Sequence, residues 1–163
     1  SITLKTVASD SDGRSKTVNK TLEVAIPKGV VEGKKLRLGG QGGEGSGGGK
    51  RGDLYLTIHM ADHPGFRIVG KDLEVDVPVT PWEAALGAKI GVPLVEGTAQ
   101  ITLPSGITSG KKLRVRGKGL GGSGEERGNL YAIVKIVVPD SLSAEERRLF
   151  EELAQVSRFS PRG

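Results

Sequence analysis

The feature that most constrains this chain is a phrase written twice: "KKLRLGGQGG" at residues 34–43 and "KKLRVRGKGLGG" at 111–122. Aligning Pro27 with Pro104 sets Gly29 on Gly106, Gly33 on Gly110, and Gly40 and Gly42 on Gly117 and Gly119. After a slip of one residue, "GDLYLTI" from Gly52 falls on "GNLYAIV" from Gly128. A repeat of this length requires two similar substructures in tandem.

Each copy reads as strand, turn, strand, glycine loop, strand. "TLEVAIP" and "AQITLP" alternate apolar and polar residues and end at a proline, which cannot donate to a ladder. "KGVVEG" and "SGITSG" supply turn glycines, and "KKLRL" and "KKLRVRG" alternate again. Lys35 and Arg37, like Lys112 and Arg114, should therefore point outward from one strand face. Aromatic residues make up only 4% of the chain, so any core is mainly Val, Ile and Leu, which favours strands. The 26 glycines and 8 prolines imply frequent turns and few helices.

Between the copies, "DLEVDVPV" reads as a strand. Thr80, Pro81 and Glu83 then spell a short helix start, with Thr80 as N-cap, proline in the first turn and Glu83 closing a capping box. Gly87 ends that helix early. The second copy thus owns an upstream strand and short helix, whereas the first begins with "SITL" opposite "AKIGV". The expectation is that the first copy has lost its opening strand and helix, and that the chain, which lacks an initiator Met, is a fragment. In the tail, Ser143 caps a second helix with Glu146 three residues on, and Leu149, Phe150, Leu153 and Val156 share one face. That face packs either on its own domain or against a second copy.

Several chemical motifs dissolve on inspection. "GVVEGKK" and "GITSGKK" are one residue short of a phosphate-binding loop, lack the Ser or Thr after Lys, and lead into a strand instead of a helix. "GQGGEG" and "GKGLGG" space their glycines like a dinucleotide loop, but neither opens a helix. With no cysteine and only two histidines, His59 and His63, no metal-ligand spacing or catalytic frame is apparent, so no metal or cofactor and no enzymatic turnover are expected. No apolar run approaches the roughly 20 residues needed to span a bilayer, so no membrane partner is expected.

The run from "GDLYLTIHMADHPGF" through "KDLEVDVPVTPWEAALGAKIGVPLVEG", then "LPSGITSGKKLRVRGKG" and "GNLYAIVKIVVP", resembles the carboxy-terminal substrate-binding region of DnaJ-type co-chaperones. "TPWEAALGAK" is most similar to the curved-DNA-binding-protein branch, and the absence of "CxxCxGxG" modules resembles the type lacking the zinc-finger insert. "DHP" at residues 62–64 holds the letters of the J-domain tripeptide in another order and reads as a turn.

The resemblance implies a mainly β chain of two tandem β-sandwich-like subdomains with short helices, at residues 1–62 and 63–140, and a C-terminal amphipathic helix in a dimerisation segment at 141–163. It implies that the first subdomain captures exposed apolar segments of unfolded client polypeptides, for delivery to a DnaK-type chaperone, in a groove lined by Ile2, Leu4 and Leu56. Ile133 serves as the equivalent position in the second copy. Ile2, Leu4 and Leu56 also fit a plain reading as core residues, since alternate strand residues are normally buried. Leu149, Phe150 and Leu153 are the candidate homodimer contacts.

The alternative is a module for curved or bent DNA in the nucleoid. The formal charge is +5, and Lys34, Lys35, Arg37, Lys111, Lys112 and Arg114 are the candidate phosphate contacts. Both readings imply a cytoplasmic location.

Overall fold

A computed structural model describes residues 2–9, 15–43, 45, 49–122 and 127–162. It is mainly β. Its best-packed part is the second copy, where β5 (Arg67–Val69), β6 (Asp72–Val79), β9 (Lys112–Val115) and β10 (Leu130–Ile136) form one sheet in the order β5-β6-β10-β9. β10 lies parallel to β6 and antiparallel to β9. A hairpin of β7 (Ala88–Pro93) and β8 (Thr98–Leu103) supplies the facing layer.

The "DLEVDVPV" alternation explains why β6 sits in the middle. Leu73, Val75, Val77 and Val79 are buried on one face, while Glu74 and Asp76 stand on the other among basic groups. The buried row meets Leu130, Ala132 and Val134 of β10, Val92 of β7 and Leu103 of β8. Each buried Leu or Val side chain contributes about 1.5 to 3 kcal/mol through removal from water.

Helix α1 (Pro81–Leu86) follows β6 with the expected start. Thr80 accepts from the Glu83 amide, and the Glu83 carboxylate accepts from the Thr80 amide at 2.8 Å. Gly87 stops it at a φ of 82°, where a side chain would strain the backbone. Ala84 puts α1 over the core, whereas Trp82 and Leu86 remain exposed.

The first copy contains β1 (Ile2–Ser9) paired with β2 (Ser15–Leu22), and β3 (Lys35–Leu38) paired with β4 (Leu54–Thr57). Its loop geometry reproduces the second copy. Gly33 donates to the Ile58 carbonyl at 2.9 Å as Gly110 does to Val134 at 2.7 Å, and Leu36 faces Leu56 as Leu113 faces Ala132.

That register makes two corrections. The position equivalent to Leu56 is Ala132, not Ile133: the one-residue slip in the glycine loop carries through the strand, and Ile133 lies opposite Lys112 on the other face. The strand expected over "TLEVAIP" runs instead from Ser15 and leaves the ladder at Leu22. β2 pairs Leu22 with Ile2, and Ile26, beyond the end of β2, is exposed.

The two copies also differ in depth. Among the described residues, every buried hydrophobic side chain lies between Leu73 and Val134. Leu54, Leu56 and Ile58 of the first copy are only half-buried where Leu130, Ala132 and Val134 are buried, while Leu36 and Leu38 match Leu113 and Val115 in being half-buried in both copies. Among the described residues β4 pairs with β3 alone, while β10 is held on both sides.

Candidate functional site

Three surfaces of the fold collect the sequence-derived candidates. The apolar one belongs to the first copy. Leu56 lies on the face of β4 that corresponds to the buried face of β10, but it is only half covered. Ile2 is half-buried at the start of β1, opposite Leu22. Leu4 sits two residues on, opposite Lys20, and its side chain falls outside the described residues.

The second surface is basic, and its cations are unequal. The alternation of β3 and β9 does turn Lys35, Arg37, Lys112 and Arg114 outward. Arg37, however, donates from Nε to Asp53 Oδ2 at 2.6 Å, and Lys112 is bound by the Glu74 carboxylate. Lys34, Lys35, Lys111 and Arg114 have no ion-pair partner among the described residues. The split has a simple origin. Asp53 of the first copy is replaced by the uncharged Asn129 in the second, which leaves Arg114 free. Glu74 comes from β6, and the described part of the first copy has no strand in that place, which leaves Lys35 free.

The carboxylates answer in kind. Glu74 is held below the usual glutamate range by Lys112 first and by the nearby Arg67. Asp76 is lowered to about 2 by bonds from Arg67 and Lys135, each at 2.7 Å. Asp53 is lowered first by the Gly40 amide and then by Arg37.

The third surface is formed by α2 (Ala144–Val156), started by the expected Ser143 and Glu146 capping box. Phe150 tilts against Trp82 of α1 with ring centroids 6.5 Å apart. Trp82, Leu149, Phe150, Leu153 and Glu146 line a groove of about 320 Å³. Leu149, Leu153 and Val156 are 51%, 58% and 75% exposed, so α2 is anchored at Phe150 and leaves the rest of its apolar face uncovered. Sequence reading missed Trp82. Its signal was a lone tryptophan, the only one in the chain, on an amphipathic turn beside a capping box.

Among the described residues no polar or charged side chain is buried, and no helix is long and apolar enough to cross a membrane.

The tandem β repeat and these shallow surfaces are those of a chaperone-related region. The family comparison agrees: the DnaJ C terminal domain matches residues 2–139, and the chain belongs to that family. Within it, the chain is similar to proteins called Curved DNA-binding protein. That of Pseudomonas putida (strain GB-1) is 50% identical over 149 residues, covering 91% of this chain and 47% of the relative. That of Escherichia coli (strain SMS-3-5 / SECEC) is 51% identical over 146 residues, covering 89% and 47%. That of Serratia proteamaculans (strain 568) is 48% identical over 146 residues, with the same coverage. The chain spans about half the length of these relatives.

Proposed function

We propose that this chain is the client-holding region of a DnaJ-type co-chaperone. It captures exposed apolar segments of unfolded polypeptides for delivery to a DnaK-type chaperone, without catalysis and without a cofactor. The observation that carries the reading is the contrast between two copies of one motif. In the second, Leu130, Ala132 and Val134 are buried, whereas the matching Leu54, Leu56 and Ile58 of the first are only half-buried. An extended client segment laid on that surface would bury apolar area that the first copy leaves wet, at about 25 cal/mol per Å². Ile2, Leu4 and Leu56 are the proposed contacts. Residues 1–62 and 63–140 act as the two units, and the segment 141–163 joins two chains into a homodimer. On this reading the protein works in the cytoplasm. The test is suppression of aggregation of an unfolded client, which Leu56→Ser should weaken while the fold persists; unchanged suppression would overturn the assignment of that contact.

A second reading rests on the unpaired cations and the relatives' printed names. Lys34, Lys35, Lys111 and Arg114 would contact DNA phosphates without reading bases, so curved or bent duplex would be selected by shape, and the protein would associate with the nucleoid. Retention on curved duplex across a salt series tests it. A flat salt response would remove it.

A further inference from the structure

His59 and His63, the chain's only histidines, both lie at the joint between the two copies. β4 of the first copy ends at Thr57 and β5 of the second starts at Arg67, so residues 58–66 carry the chain across. A cavity of about 590 Å³ lies at this crossing, walled by Glu32 and Met60 from the first copy and by Phe66, Arg67 and Ile68 from the second.

Each histidine is bonded through Nδ1, but with opposite demands on its proton. The Gly65 N–H donates to His63 Nδ1 at 3.0 Å. Only an imidazole with its proton on Nε2 has a lone pair at Nδ1, so this bond exists in the neutral ring alone. It clamps a turn in which the Phe66 amide donates to the His63 carbonyl at 3.3 Å and the two rings stand 5.3 Å apart. His59 Nδ1 instead meets Glu32 Oε1 at 2.8 Å, where the ring must donate and an added proton strengthens the pair. Glu32 also accepts from the Met60 amide, as Ser109 accepts from the Ile136 amide at 3.2 Å in the second copy. The anchor on Glu32 tolerates acid, and the turn at His63 does not.

The charges around His63 favour its protonated form leaving the turn. Glu32, Asp62 and Arg67 share the cavity with it, and Arg67 and Asp76 share the hollow on its other side. Arg67 is already committed to Asp76 and Glu74, and Lys135 to Asp76. Glu32 is held below the usual glutamate range by the Met60 amide first and then by His59, and Asp76 is lowered to about 2. Both carboxylates therefore stay ionised between about pH 5 and 8, the window in which histidine side chains change charge. An imidazolium keeps its attraction to the Phe66 ring but has no lone pair left for Gly65.

We infer that the His63–Phe66 turn is an acid-released joint. Protonation of His63 frees the Gly65 amide and lets the two copies change their relative orientation, while Glu32 and His59 keep the exit from the first copy in place. Lys28 and Glu96 also pair across the seam at 3.0 Å, but both side chains are exposed, and such a pair contributes little in water. The device couples the arrangement of the two β units to acidity, whichever polymer they hold.

The test uses the full chain and solution NMR at about pH 8 and about pH 5. At the higher pH the His63 ring should show the Nε2–H tautomer, and residual dipolar couplings should report one fixed orientation of the two copies. At the lower pH the couplings should show that orientation averaged. His63→Asn supplies an oxygen that accepts from the amide two residues on whatever the pH. It should hold the fixed orientation in acid and protect the Gly65 amide about threefold better than the unaltered chain at the same pH. His63→Lys, a cation with no acceptor, should give the averaged orientation already at the higher pH. Unchanged amide exchange at Leu130 and Val134 confirms that each variant is folded, and if His63→Lys unfolds, His63→Asn decides alone. An Nδ1–H tautomer at the higher pH, an orientation that does not change with pH, or a His63→Asn chain that yields to acid as the unaltered chain does would overturn the inference.

Discussion

Asp53 and Asn129 hold the same place in the two copies, and each side-chain oxygen accepts a hydrogen bond from the glycine amide of its own loop, Gly40 at 2.9 Å and Gly117 at 3.1 Å. The backbone needs only the oxygen. The charge on Asp53 does something further: it ties down Arg37, while the matching Arg114 stays free.

Replacing Asp53 with Asn should therefore keep the loop and release a cation. If the basic strands contact DNA, Asp53→Asn should tighten duplex binding and steepen its salt dependence by about one unit of slope. Lys111→Ala with Arg114→Ala should weaken binding more than Lys112→Ala with Arg37→Ala, since the second pair is already neutralised. Filter binding or fluorescence anisotropy over a salt series measures both. Equal losses from the two pairs would show that the ion pairs of Arg37 and Lys112 do not withhold them from DNA, and unchanged affinity in both would return these four cations to a solubility role.

The outer face of the second sheet predicts an acid-sensitive contribution. Asp76 in the folded chain titrates at about 2, below the ordinary aspartate value of 3.8, because Arg67 and Lys135 bond its ionised form. A depressed folded value contributes stability that is fully present above the ordinary value and is lost as pH falls from there toward 2. Arg67→Met should raise the Asp76 titration point, followed by carboxyl-carbon NMR, and should bring acid unfolding to higher pH.

Core substitutions should separate the two copies. Leu130→Ala removes a fully buried side chain and should cost about 2 to 5 kcal/mol in chemical denaturation. Leu54→Ala, at the matching place in β4, should cost clearly less because Leu54 is only partly buried. Equal costs would mean that the first copy packs as deeply as the second in solution.

For client binding, Leu4→Ser and Leu56→Ser should each lower affinity for an extended apolar peptide by about 1 to 3 kcal/mol if the side chain is fully covered by the client. Titration calorimetry measures this, with circular dichroism confirming the fold. The matched control is Ala132→Ser, which should cost stability and leave peptide affinity nearly intact.

Deleting the chain from Ser143 onward should convert dimer to monomer in sedimentation velocity. Trp82→Ala should loosen the dimer without abolishing it, since Phe150 loses its anchor while Leu149 and Leu153 remain. An intact chain that sediments as a monomer at high concentration would refute the assignment.

The sequence alone determined the repeat, the alternation that makes each strand, and both helices with their caps, because these rest on contacts within a few residues. Thr80 and Ser143 meet their capping glutamates three positions on, wherever the rest of the chain goes. Tertiary structure decided which copy owns a deep core and which cations are free. Both depend on groups distant in sequence: Glu74 lies 38 positions from Lys112, and Asp53 lies 16 from Arg37. The equivalence of Leu56 with Ala132 was already contained in the alignment of "GDLYLTI" with "GNLYAIV", and strand register fixed which face each side chain takes. Trp82 joined the α2 surface for the same reason. Local spacing can mark a tryptophan as exposed on its helix, but only packing brings Phe150 beside it.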